Sequence, residues 1–144
     1  MKTAITFKLL LPLLLLSSVA TGQAERTFVK SFNLQGQQTL VLDLGDNTQV
    51  TPWDNDILRV QMTISLPNSS DATLKALAEI GRYTVKTDIN PQATTVTAPF
   101  LHNALKLNGN GVKEQVSYMI YVPRNVTILK STDVNAKIVA KLNP

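Results

Sequence analysis

The stretch Leu58-Arg59-Val60-Gln61-Met62-Thr63-Ile64-Ser65-Leu66 decides the fold class. Leu58, Val60, Met62, Ile64 and Leu66 fall on every second position, and Arg59, Gln61, Thr63 and Ser65 fill the positions between. Strict alternation of this kind predicts a β-strand with one buried and one wet face. Upstream, Leu40, Leu42 and Leu44 alternate with Val41 and Asp43 and lead into a Gly45-Asp46-Asn47 turn. Gln49-Val50-Thr51 continues as a short strand, which Pro52 should stop because it has no N–H for a central ladder. The turn Trp53-Asp54-Asn55-Asp56 then opens the long strand, and Phe28 to Phe32 predicts an earlier one with its aromatic rings inward.

Downstream, the pattern changes once. Ser69 and Ser70 precede Asp71, and Leu74, Leu77, Ala78 and Ile80 follow at helical spacing before Gly81. A serine cap, an early carboxylate and a terminal glycine predict a helix over 71–80. Period two then returns in Arg82 to Ile89, with Tyr83, Val85, Thr87 and Ile89 on one face, and again in Thr94 to Ala98. Phe100 to Lys106 is ambiguous, and Asn108-Gly109-Asn110-Gly111 is a turn cluster. Val116, Tyr118, Ile120 and Val122 alternate up to Pro123. Val126-Thr127-Ile128 and Lys137-Ile138-Val139 close the chain as short strands around Asp133-Val134-Asn135. Strands recurring roughly every 8–12 residues with no dividing linker predict one mainly β domain. Its inward set comprises Leu40, Leu42, Leu44, Leu58, Val60, Met62, Ile64, Val116, Tyr118 and Ile120.

The first residues carry an address. Lys2 and Lys8 precede the apolar run Leu9 to Leu16, and Ser18-Val19-Ala20 offers small side chains where a signal peptidase cuts. Residues 1–20 are therefore expected to be a signal peptide, with a cut after Ala24 as the alternative, and 25–144 a single β-rich domain. Leu9 to Ala20 is shorter than the roughly 20 apolar residues that span a bilayer. After it, the longest apolar run is Tyr118 to Val122, so no membrane span is expected once the leader is removed. No cysteine stands at the cleavage region, which excludes a lipoprotein anchor. Export to the periplasm or beyond, in a bacterial envelope, is the expected localisation.

Composition then removes several activities. The 144 residues contain no Cys, so disulfides, thiolate metal sites and Cys nucleophiles are all excluded. Loss of Lys2 and Lys8 lowers the formal charge from +4 to about +2, and aromatic residues make up only 6%. Neither figure suits nucleic-acid binding, which needs phosphate neutralisation or stacked rings. His102 is the single histidine, and no Gly-x-Ser-x-Gly elbow accompanies it, so a Ser-His-Asp triad is not expected. Neither phosphate-cradling glycine motif occurs. Asp46, Asp54, Asp56 and Asp88 could in principle serve glycoside hydrolysis or calcium, but Asp, Asn and Gly are also what tight turns require. Asp46 and the Asp54/Asp56 pair flank a short strand and should sit at its opposite ends, so Asp46, Asp54, Asp56 and His102 are not expected to converge. No catalytic, cofactor-binding or metal residue is assigned. Trp53 and Pro123 read as turn or strand-end markers. Tyr118 belongs to the apolar face, and Tyr121, opposite it with Ser117 and Met119, is the better candidate for exposure.

Two stretches together carry a resemblance. One is Leu40 to Leu66, with Val50-Thr51-Pro52-Trp53-Asp54-Asn55-Asp56 before the long strand; the other is Val116 to Ile128, centred on Tyr121-Val122-Pro123-Arg124-Asn125. This pattern resembles the adhesin-like domains of bacterial envelope proteins, a family of unknown molecular function, over residues 28 to 140. The resemblance implies a right-handed β-helix or β-roll in the cell envelope and no active-site residues. The chain departs from it in the helix at 71–80 and in having about one rung after Pro123; a β-sandwich is the alternative architecture. The functional expectation is an exported, non-catalytic module that contacts an envelope protein or glycan through a β face or its loops. The alternative is a small carbohydrate-binding protein or hydrolase using the Asp-rich turn, Trp53 and Tyr121.

Overall fold

Alternation, capping and turn chemistry carry through into the computed structural model, which describes residues 22–131. The leader at 1–20, the turn at Asp133-Val134-Asn135 and the strand at Lys137-Ile138-Val139 lie outside the described residues. The described elements run β1 (Ala24–Asn33), β2 (Thr39–Asp43), β3 (Thr48–Trp53), β4 (Ile57–Leu66), α1 (Asp71–Glu79), β5 (Lys86–Ile89) and β6 (Thr94–Thr97). A 3-10 turn at Pro99–His102 leads to β7 (Leu105–Leu107), β8 (Asn110–Val112), β9 (Gln115–Pro123) and β10 (Thr127–Lys130). Strands take 53% of the described residues, which are mainly β with one α-helix among them.

Two four-stranded sheets form, ordered β1-β4-β9-β3 and β10-β2-β6-β5, and β7 with β8 makes a small hairpin. In the first sheet β4 lies antiparallel between β1 and β9, and Met62 stands opposite Phe28 on one side and Tyr118 on the other. β3 runs parallel to β9 at the edge. In the second sheet β2 is parallel to both β10 and β6, while β5 is antiparallel to β6. The inward faces of both sheets feed one core. Leu58, Val60, Met62, Ile64 and Leu66 are at most 1% exposed and meet Leu40, Leu42, Val96, Ile120 and Val122 there. Burying a large aliphatic side chain is worth about 1.5–3 kcal/mol, so the β4 row alone contributes on the order of 10 kcal/mol. Of the expected inward set only Val116 is not buried, and it still packs against the core.

The helix forms as its ends dictate. Ser70 Oγ accepts the Thr73 N–H at 3.2 Å, and Leu74 and Leu77 turn inward. At the far end Gly81 takes φ +83°, a conformation that strains any residue with a Cβ. That turn lets Gly81 N–H reach Ala78 O at 2.9 Å and Arg82 N–H reach Leu77 O at 3.1 Å, which satisfies two terminal carbonyls.

Four expectations need correction. Pro52 does not stop β3, which runs on to Trp53, because an edge strand can spare the missing N–H. Ile80 is not part of the helix stripe: as the C-cap it lies past the last turn and is 79% exposed. Regular strand covers only Lys86–Ile89 of the 82–89 segment, since the turn after Gly81 buries Tyr83 and Val85 outside any ladder. The strand expected from Val126 begins at Thr127, because Val126 N–H closes a turn onto Pro123 O at 3.1 Å. No helix among the described residues is long and apolar enough to cross a membrane.

Two buried positions among the described residues are polar, and of these Ser65 is bonded by the Gln23 side chain while Thr94 is not. Thr94 is 1% exposed, and its Oγ1 has no hydrogen-bond partner among the described residues. A buried, unsatisfied hydroxyl costs roughly 1 kcal/mol or more. Thr94→Val is therefore expected to leave the thermal midpoint unchanged or raise it. Ile64→Asp, which would put an unpaired carboxylate at a fully buried position, should abolish the cooperative transition. A lower midpoint for the first variant, or a parental midpoint for the second, would contradict the strand register given above.

Candidate functional site

The wet face of the first sheet is set by the same parity that fills the core. Arg59, Gln61 and Thr63 of β4 point away from the inward row, and the ladder places Tyr121, Met119 and Ser117 of β9 beside them. β3 adds Thr51 next to Tyr121 and Gln49 next to Met119, and β1 adds Ser31, Val29 and Thr27 on the other flank. The face thus carries mainly hydroxyl and amide side chains in rows across four strands, with Met119, Arg59 and the exposed Val29 among them. Thr27 and Thr63 hydroxyls bond each other at 2.8 Å, and Thr51 Oγ1 reaches Met119 Sδ at 3.7 Å.

At one end of this face three large side chains meet. Trp53 and Tyr121 lie with ring centroids 5.4 Å apart at 38°, and the Arg59 guanidinium lies 4.8 Å from the centre of the Trp53 ring. The turn before β4 fixes the tryptophan. Its Nε1–H donates to Ile57 O at 2.9 Å, and Asn55 Oδ1 accepts the Ile57 N–H at 3.2 Å. Trp53 and Tyr121 are both half-buried. Cation and ring attract through the quadrupole of the indole, which holds Arg59 in place.

The carboxylates are distributed around the fold. Asp54 is held by Arg124, which donates to both of its oxygens, and this contact keeps its carboxyl below the usual carboxylate range. Both partners are well exposed, at 64% and 80%, so the pair orients the turn more than it stabilises the fold. Asp56 lines a shallow hollow with Leu34, Pro123 and Asn125. Asp88 is exposed on β5, in the second sheet. Asp46 sits at the other end of β3 from Asp54; a six-residue strand spans about 17 Å. Asp46 and His102 both line a 330 Å³ hollow between the ends of the sheets, which Asp54 and Asp56 do not line. Asp43 and Glu114 also line that hollow, and Glu114 is already engaged. Its carboxylate accepts from Arg82 Nε at 2.8 Å and from the Tyr83 hydroxyl at 2.9 Å, and Arg82 also donates to Asn103 O at 2.8 Å. Among the described residues no three His, Asp or Glu side chains are placed to hold a metal ion.

Sequence reading separated Tyr121 from the core and put Arg59 on a wet face, but did not join them to Trp53. What joins them is the ladder, which sets Arg59 opposite Tyr121 and β3 beside β9. The Arg82–Glu114–Tyr83 network was missed for the same reason, since its members lie 31 and 32 residues apart. No known family model, curated protein or solved structure matches the chain.

Two buried phenols give the fold a pH signature. Burial pushes the Tyr118 hydroxyl from 10 up to about 12, and burial with the Glu114 carboxylate raises that of Tyr83 as well. A phenol that holds its proton more tightly when folded contributes stability that is complete below pH 10 and is lost above it, by at most about 1.4 kcal/mol per pH unit per tyrosine. The thermal midpoint should fall as pH rises from 10 to 12, and Tyr118→Phe should fall less steeply. Identical slopes for parent and variant would contradict this assignment.

Proposed function

We propose that this chain is an exported, non-catalytic module of the cell envelope that binds a glycan on the wet face of its first sheet. The observation that carries this reading is the Trp53–Tyr121 ring pair, held at the end of a polar sheet face. Aromatic rings offer their electron-rich faces to the C–H face of a sugar ring. Rows of Thr, Ser and Gln side chains, spaced about 4.8 Å from strand to strand, supply donors and acceptors for sugar hydroxyls. An open sheet face suits a polymer lying across it better than a small molecule enclosed in a pocket.

The non-catalytic part of the reading is supported by the carboxylates. Asp54, beside the rings, is committed to Arg124, and Asp46 lies at the opposite end of β3. Export is supported by the leader pattern in residues 1–20. Ala24 is 7% exposed and pairs with Leu66, so a cut after Ala20 leaves β1 whole, whereas a cut after Ala24 removes a buried residue. Of the two architectures, the β-roll has in its favour the parallel ladders β3–β9 and β10–β2–β6, and the β-sandwich has two four-stranded sheets closing on one core. The resemblance to adhesin-like envelope domains agrees with such a module.

Because Trp53 is the single tryptophan, its fluorescence reports on this face alone. Titration with a panel of soluble polysaccharides should shift that emission. By calorimetry, Trp53→Ala should bind the same polysaccharide about tenfold more weakly or worse, with at most a small loss of thermal midpoint. If no polysaccharide in a broad panel changes the emission or is retained, the glycan reading falls. Intact mass of the exported protein should begin at Thr21; a mass that retains Met1 to Ala20 would refute the leader.

A further inference from the structure

We infer that the glycan taken by this face is acidic, with a sugar ring against the Trp53–Tyr121 pair and its carboxylate on the Arg59 guanidinium. The inference rests on the glycan reading above and names the class of sugar.

The four arginines of the chain provide the argument. Arg26 donates to both Asp71 oxygens at 2.7 and 2.9 Å, Arg82 engages Glu114, and Arg124 engages Asp54. Arg59 makes no ion pair or hydrogen bond among the described residues. Its Nε is shut off from solvent without a partner, while its guanidinium rests 4.8 Å from the Trp53 ring centre. The one arginine without a carboxylate is therefore the one that stands beside the ring pair. Stacking on the indole holds the planar group in a fixed place, so little side-chain freedom is lost when an anion arrives. Its planar fork of N–H donors matches the two oxygens of a carboxylate.

The surrounding charge leaves this position positive. Ladder neighbours of Arg59 are Ser31 and Tyr121, neither of them charged at neutral pH. Asp54, next to Trp53, is neutralised by Arg124. Asp56 lines the hollow with Pro123 and Asn125 at the end of the sheet. On the wet face of β1 the acidic residue is Glu25, which lies opposite Ser65, about 20 Å along β4 from Arg59. An anionic group reaching the ring pair would meet one partly desolvated cation and no nearby carboxylate on the face. A neutral sugar would leave that cation without the partner every other arginine has.

Oligogalacturonate and its methyl ester share a backbone and differ in the carboxylate, which makes them the probes. With the full exported chain, calorimetry should give about tenfold tighter binding of the acid than of the ester at low salt, with the gap narrowing at high salt. In Arg59→Gln the acid and the ester should bind equally tightly, whatever the affinity of the variant for the ester. Trp53→Ala should weaken both. Equal binding of acid and ester to the parent, or a gap that survives Arg59→Gln, overturns this inference and leaves the glycan reading standing. Failure of both probes and of every neutral polysaccharide overturns the two together.

Discussion

One strand disposes the rest of the molecule. The five inward side chains of β4 are sealed from water, and β4 is bonded on both sides, to β1 and to β9. A strand in that position cannot slip by one residue, because a slip would drive Arg59, Gln61 and Thr63 into the core and turn five apolar groups out. The same parity that hides Leu58 and Val60 presents Arg59. Core and wet face are therefore two readings of a single register, and neither can change without the other.

A second constraint ties the loops to this frame. Arg82 and Glu114 are 11% and 7% exposed, so the pair is held largely away from water, with the Tyr83 hydroxyl as a third member. Removing one partner of such a pair leaves an uncompensated charge and costs about 3–5 kcal/mol. Arg82 owes its position to the Gly81 turn that ends α1, and its contacts with Phe100 O and Asn103 O pin the 3-10 turn and the residue after it. Helix end, connecting turn and the start of β9 are thereby fixed to one another, although they share no ladder.

Local rules were readable in the sequence, and long-range ones were not. Alternation in 58–66 and 116–122 identified the buried rows, and Ser70 with Gly81 bracketed α1, because each depends on neighbours within a few residues. Pro52 misled, since the rule against proline applies to a central strand and only the sheet order shows that β3 is at the edge. Tyr83 and Val85 alternated as a strand would, yet their burial comes from packing beneath β1, where Tyr83 stacks on Phe28 at 5.4 Å. The candidate site was legible only in parts. Trp53 looked like a turn marker and Tyr121 like a lone exposed ring, and their adjacency exists only through the parallel pairing of β3 with β9.

Pro52 and the cations of β1 have a further effect at the borders of the first sheet. Open edges invite strand addition by other chains, and aggregation follows when they are left bare. On the β3 side, Pro52 withholds an N–H and sets a pyrrolidine ring in the path of an incoming strand. On the β1 side, Arg26 and Lys30 stand on the inward face, opposite Ile64 and Val60, tied to Asp71 and to Val85 O. A strand docking there would have to cover two tethered cations. Both borders are guarded by different chemistry, so the sheet resists polymerising with its own copies while its broad face stays open to solvent.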